Sequence, residues 1–250
     1  GTFQDITKLI EMQKDLEKAK RSAEASDRSK SYFLAQASHD LRQPMQALRI
    51  FISTLEEEPL DNRQKELLGK ISASADNLNN LLDNLLDISK LDSEGFEACL
   101  GNFDISDLLK NIFFEFHEIA RSRGIHFHTS LCHYTVCSDA LLVERVIRNL
   151  LSNAFKYTRN KVLLGCKREN DRIRVLVMDN GEGITAEEKE RIFDEFYQSR
   201  NINDNSRSGA GLGLSIVRRI SDILGLDISV DSRPGRGSSF SFLLPLEKGT

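Results

Sequence analysis

Two apolar stripes of matching length, set at helical spacing on either side of one turn signal, constrain this chain more than any other feature. The first steps by three and four residues through Leu9, Met12, Leu16, Ala19, Ala23 and Ser26, then continues through Phe33, Ala37, Leu41, Leu48 and Leu55. It stops at EEEPLDN, where Pro59 and the Asp61–Asn62 pair are turn or cap signals. The second starts near Arg63 and carries Leu67, Ile71, Ala75, Leu78, Leu82, Leu85 and Ile88. Residues three and four apart share a helix face, so each stripe predicts an amphipathic helix, and equal lengths across a short turn predict an antiparallel hairpin. One hairpin cannot cover both stripes. Two copies forming a four-helix bundle can, which predicts a homodimer. The stretch from Leu9 to Ser26, apolar or small positions amid Lys, Glu and Asp, predicts a two-stranded coiled coil ahead of the bundle.

After Leu91 the pattern turns into a mixture of helices and strands, with a domain boundary expected at DSEGFEACLGN. Periodicity predicts helices at Ile105–Arg121, Asp139–Tyr157, Ala186–Asp194 and Leu212–Leu224. Strands are expected at Ile125–Leu131, Lys161–Lys167, Arg172–Met178, Leu226–Val230 and Ser238–Leu244. The organisation read from these patterns is a linker over residues 1–30, a helical domain over 31–95 and a two-layer α/β sandwich over 96–250, the last being about 150 residues and of ordinary domain size.

Charge and composition exclude several classes of function. With 34 basic and 38 acidic residues, a formal charge of −4, the chain has no bulk attraction for nucleic acid or anionic lipid. No apolar run approaches the roughly 20 residues of a membrane helix, so a cytoplasmic chain is expected, or the cytoplasmic portion of a longer membrane-associated protein. Cys99, Cys132, Cys137 and Cys166 form no CxxC pair, and reduced thiols are the expectation. A metal cluster of His126, His128 and His133 with the neighbouring cysteines is disfavoured, because alternation in IHFHTSL places Ile125, Phe127 and Thr129 on one strand face and the histidines on the other.

Chemistry concentrates in a few short segments. In SHDLRQP the heptad register puts Ala37 and Leu41 at the bundle seam and leaves His39 facing outward. An exposed imidazole near its ordinary pKa of about 6.5 is largely neutral at pH 7 and nucleophilic. Asp40 is placed to take a proton from it, and Pro44 is expected to bend the helix. In RNLLSNAFKYT, Asn149, Asn153, Lys156 and Tyr157 fall on one helix side, with Val146, Leu150 and Ala154 packing beneath. Asn153 is the candidate Mg²⁺ ligand, since one amide oxygen together with a triphosphate suffices for that ion. DNGEGI follows an apolar strand; Asp179 there can accept a hydrogen bond from an adenine amino group, while Gly181 and Gly183 let backbone approach a flat ring. GAGLGLS, with Gly209, Gly211, Leu212 and Gly213, leads into an amphipathic helix whose first N–H groups can bind phosphate. YQSRNINDNSRS between them reads as a lid, rooted on Phe193 and Phe196, in which Arg200 and Arg207 either touch phosphate or solubilise the loop.

In their order and spacing these segments resemble the core of sensor histidine kinases of two-component systems over roughly residues 31–247. His39–Pro44 is similar to that family's phospho-acceptor box, Asn149–Thr158 to its N box and Asp179–Ile184 to its first glycine box. Arg191–Tyr197 matches its F box, Gly209–Ser215 its second glycine box, and GRGSSFSFLLP its third. The resemblance implies a dimeric phosphotransfer bundle, an ATP-binding domain shared with gyrase-type ATPases, ATP with Mg²⁺, autophosphorylation on His39, and a response regulator receiver domain as partner. GTFQDIT at the start resembles the last strand of a PAS sensor domain, and the DLRQP variant resembles hybrid kinases. Members often carry Thr or Asn four residues after the histidine, where it positions water for dephosphorylation. Gln43 stands there in this chain, and Gln also orients water. A scaffold or phosphatase-dominant module pairing with another kinase, and a conformational ATPase, are the alternatives.

Overall fold

The computed structural model describes Lys18 and residues 41–92, 96–198 and 211–247. The coiled-coil and PAS expectations, His39, Asp40, Gly209, Arg200 and Arg207 lie outside the described residues. The chain divides between Phe96 and Glu97 into two compact units.

The first unit is a helical hairpin. Helix α1 is described over residues 41–56 and continues helical through Pro44. Helix α2, Asn62–Leu91, begins at a capping box: the Asp61 carboxylate accepts from the Gln64 N–H at 2.8 Å, and the Gln64 side chain accepts from the Asp61 N–H at 2.9 Å. The seam between the helices buries Met45 and Ile52 against Leu68, Ala75 and Leu82. Arg42 donates to Asp83 across it at 2.6 Å. Leu41, Leu48 and Leu55 on α1, and Leu67, Ile71 and Leu78 on α2, remain between 37% and 51% exposed. These are stripe positions, whereas Met45 and Ile52 were not among those singled out. The apolar arc is wider than one partner helix covers, so the inner edge forms the seam and the outer edge stays uncovered.

The second unit is the expected two-layer α/β sandwich. Strand β1, Gly101–Asp104, pairs antiparallel with β3, Thr135–Ser138, in a small two-stranded sheet. The main sheet contains β2 (His126–Ser130), β4 (Lys161–Glu169), β5 (Arg172–Asp179), β6 (Ser229–Arg233) and β7 (Gly237–Pro245) in the order β2-β4-β5-β7-β6. Only the β2–β4 pair is parallel. Val162 and Leu164 on β4, Ile173, Val175 and Val177 on β5, and Phe240, Phe242 and Leu244 on β7 alternate into the core. Helices α3 (Ile105–Ser122), α4 (Ala140–Tyr157) and α6 (Gly213–Leu224) bury Leu109, Ile112, Ile147, Leu150, Ile216 and Ile220. Phe113, Phe127, Phe155 and Phe116 form a ring chain with centroids 4.9 to 5.4 Å apart that joins α3, β2 and α4.

Several expectations need correction. The helix read at Ala186–Asp194 is only the four-residue α5, Ala186–Lys189, after which turns run to Phe196. The strand read at Leu226–Val230 starts instead at Ser229, because α6 ends on left-handed Gly225 and pairing with β7 is set by the turn at residues 234–236. Strands β1 and β3 were not anticipated, since four residues carry too little alternation. Cys132 and Cys166, expected as separate thiols, are joined as a disulfide with Cα atoms 5.7 Å apart. The parallel pairing that sets Ser130 opposite Gly165 brings together cysteines 34 residues apart. Cys99 and Cys137 are free. His126 and His128 are exposed on β2, Phe127 between them is buried, and no metal-holding cluster occurs among the described residues.

Candidate nucleotide site

Helix α4 supplies one wall of the site. Its N-cap Asp139 accepts from the N–H groups of Leu141 and Leu142 at 3.0 and 3.1 Å, and its other carboxylate oxygen takes the Cys99 N–H at 2.8 Å. Val146, Leu150 and Ala154 are buried below, which turns Asn149, Asn153, Lys156 and Tyr157 to the partly open side, as their spacing foretold. The Asn149 amide donates to the Arg145 carbonyl at 3.0 Å. The Lys156 ammonium sits 4.9 Å from the centre of the Tyr157 ring. Gly213, the first residue of α6, faces these asparagines: a Cβ there would lie 3.1 Å from the Asn149 amide oxygen and 4.0 Å from Asn153 Nδ2. Leu212 is buried at the α6 N-cap, and among the described residues no side chain caps that helix end. The Gly211 carbonyl accepts from the Phe196 N–H at 3.1 Å, which joins the F box to the second glycine segment.

Asp179 ends β5. Its Oδ1 accepts from the Gly181 N–H at 2.7 Å. Burial holds its carboxyl above the ordinary carboxylate range, opposed by hydrogen bonds from the Gly181 and Ser238 backbones. Gly181 is buried directly against the end of α4, where a Cβ would overlap the Tyr157 carbonyl oxygen. Gly237, at φ +93°, packs likewise on the Asp179 carbonyl, so the third glycine segment lies against the first. The Ser232 hydroxyl accepts from the Ile184 N–H at 2.8 Å and donates to the Gly237 carbonyl at 3.0 Å, pinning the end of DNGEGI to the sheet. Gly181→Ala is expected to destabilise the domain by about 3 kcal/mol, because backbone rather than a movable side chain meets the added carbon. Chemical denaturation checks this; an unchanged midpoint would contradict the close approach.

Gln43 lies exposed on α1 in the other unit. A cleft of about 690 Å³ runs along Thr185, Glu188, Arg191, Phe196 and Gln198, and its lining includes neither Asp179 nor the α4 asparagines. Sequence reasoning gave no role of their own to Thr158, Asn160, Asn180, Ser232 and Ser238, which brace the site. Thr158, Asn180 and Ser238 lie inside the N, first and third glycine segments, while nothing in the sequence marked Asn160 and Ser232.

An acceptor carboxylate at a strand end, an amide-bearing helix and a glycine-led helix start are groups of the kind that can hold an adenine nucleotide. Comparison with known proteins agrees. Residues 138–248 match the histidine kinase-, DNA gyrase B- and HSP90-like ATPase family, and residues 29–94 match the His kinase A phospho-acceptor domain. The chain is 33% identical over 251 residues to the sensor protein GacS of Pseudomonas syringae pv. syringae, covering 96% of this chain and 28% of that protein. It is 30% identical over 246 residues to the sensor histidine kinase RcsC of Escherichia coli, covering 97% and 26%. Among solved structures, full-length ShkA in complex with AMPPNP superposes with a TM-score of 0.71 at 28% identity, covering 87% of this chain and 46% of that one. The chain therefore spans only a quarter to a third of the curated relatives named, and it belongs to the sensor histidine kinases as their phospho-acceptor and ATP-binding core.

Proposed function

We propose that this chain is an ATP-dependent protein-histidine kinase that phosphorylates its own His39 and passes the phosphoryl group to an aspartate of a response regulator receiver domain. The observation that carries the reading is that the glycine-led start of α6 meets the Asn149–Asn153 face, while Gly181, hydrogen-bonded to Asp179, packs on the end of the same helix. Asp179 would accept from the adenine amino group, with Gly181 and Gly183 admitting the ring. Gly209, Gly211, Leu212 and Gly213 would present backbone N–H groups to phosphate, with Asn149, Lys156 and Tyr157 along the same ligand. Asn153 would hold Mg²⁺, which brings charge neutralisation to the phosphates when bound. A neutral His39 nitrogen attacks the γ-phosphorus, the bond to the β–γ bridging oxygen breaks, and ADP leaves. The proton on the other ring nitrogen passes to Asp40.

The exposed Leu41, Leu48, Leu55, Leu67, Ile71 and Leu78 support a homodimer in which a second hairpin covers this face. An upstream sensor, possessing the PAS character suggested by GTFQDIT, would act through the Leu9–Ser26 coiled coil by changing helix packing. Among the described residues no helix is long and apolar enough to cross a membrane. We place this part of the protein in the cytoplasm, where ATP and receiver domains are found, and Gln43 is our candidate for orienting water in any phosphatase reaction.

The test is incubation of the chain with γ-labelled ATP and Mg²⁺. Protein-bound label that is lost in acid and kept in base is the expected result. Steady phosphate release with no label on the protein would make the chain a conformational ATPase instead.

A further inference from the structure

We infer that Asn180, together with Thr158, is a positioning pair that sets adenine selectivity by fixing the Asp179 carboxylate relative to the asparagine face of α4. The inference rests on the nucleotide-site reading above and goes beyond it, because neither residue is assigned a contact with the ligand.

The Asn180 side chain joins three groups just beyond the end of α4. Its Oδ1 accepts from the Lys161 N–H at 2.9 Å, the Asn160 N–H at 3.2 Å and the Thr158 hydroxyl at 2.9 Å. Its Nδ2 donates to the Asn160 amide oxygen at 2.9 Å. Its own backbone N–H donates to the Lys161 carbonyl at 3.2 Å. Thr158 is the buried C-cap of α4; its N–H donates to the Ala154 carbonyl at 2.9 Å, and its hydroxyl proton is shared between Asn180 and the Lys161 carbonyl at 2.8 Å. One cluster thus grips the last turn of α4, the start of β4 and the residue next to Asp179.

The consequence follows from chain geometry. Asp179 and Asn180 are joined by a planar peptide, so anchoring residue 180 fixes the direction in which residue 179 leaves β5. Asn149 and Asn153 ride on α4, and Thr158 closes that same helix. The cluster therefore sets the span between the group that would read the base and the groups that would hold the phosphates. Releasing it leaves the phosphate side of the site intact and frees the carboxylate, so the loss falls on recognition of the base. A purely structural contact would weaken all nucleotides alike.

The experiment measures ATP and GTP dissociation constants by titration calorimetry for the wild-type chain, Asn180→Ala, the near-isosteric Thr158→Val, and the double variant. Each single variant is expected to lose about tenfold in ATP affinity, a size consistent with removing one or two hydrogen bonds of a connected cluster. GTP affinity should change by less than about twofold, so the ATP-to-GTP ratio falls with it. The double variant should bind ATP no more weakly than the worse single variant, because both act through one cluster. Parallel losses for both nucleotides, additive losses in the double variant, or an unchanged ratio in a folded variant would each overturn the inference. A wild-type chain that binds ATP no better than GTP would overturn the nucleotide-site reading itself, which distinguishes that failure from this one.

Discussion

Asp179→Asn is expected to weaken ATP binding about 100-fold while leaving the empty domain at least as stable at neutral pH. Loss of a hydrogen bond to a charged acceptor accounts for about 1.5–3 kcal/mol, and an asparagine that turns its amino group toward the base presents donor to donor. Stability moves the other way because burial raises the Asp179 pKa, more than the Gly181 and Ser238 N–H groups lower it. A carboxyl whose folded pKa lies above its unfolded value contributes stability fully present below the unfolded pKa and lost as pH rises through the folded one. At neutral pH the ionised group is therefore a burden on the empty fold, which asparagine removes while keeping an acceptor for the loop. The same shift gives the wild type a pH signature: ATP affinity falls on acidification already above the ordinary carboxylate range, and Asp179→Asn flattens that profile. Calorimetry across pH and thermal unfolding of the ligand-free chain check both halves. A variant that loses stability and affinity together would mean Asp179 is structural.

Ile71→Glu is expected to convert the proposed homodimer to monomer and to abolish phosphorylation that depends on the bundle. Ile71 is 49% exposed in the single hairpin and sits between Leu67 and Leu78 on the uncovered edge of α2. In the proposed four-helix bundle it would become core, and a carboxylate buried there without a partner costs several kcal/mol, enough to disfavour association by orders of magnitude. The hairpin itself should survive, since Met45, Ile52, Leu68, Ala75 and Leu82 form its seam without Ile71. Sedimentation equilibrium with circular dichroism separates the cases: a helical monomer is expected, and an unchanged dimer would place the interface elsewhere.

What the sequence made legible tracks the range of the physics involved. The polar side of α4 and its buried underside are written in a local 3.6-residue period, so Asn149, Asn153 and Lys156 stand where spacing put them. The hairpin turn was legible for the same reason, through Pro59 and the Asp61 cap. Contacts between distant segments were not. Asn180 meets Thr158 across 22 residues, and Cys166 meets Cys132 across 34, each through strand pairing that composition does not encode. The seam residues Met45 and Ile52 escaped because the apolar arc offers more positions than one partner covers, and sequence alone does not say which edge meets the first partner. The turns after α5 escaped because Glu- and Lys-rich residues favour helix locally, while the F box is tied instead to Gly211.

The most direct test of the account is to locate the phosphoryl group. After incubation with ATP and Mg²⁺, peptides prepared at neutral to alkaline pH and fragmented by electron transfer should carry phosphate on His39 in the wild-type chain. His39→Ala should carry none while binding ATP with unchanged affinity. Phosphate on another residue, or equal labelling of His39→Ala, would contradict the central claim.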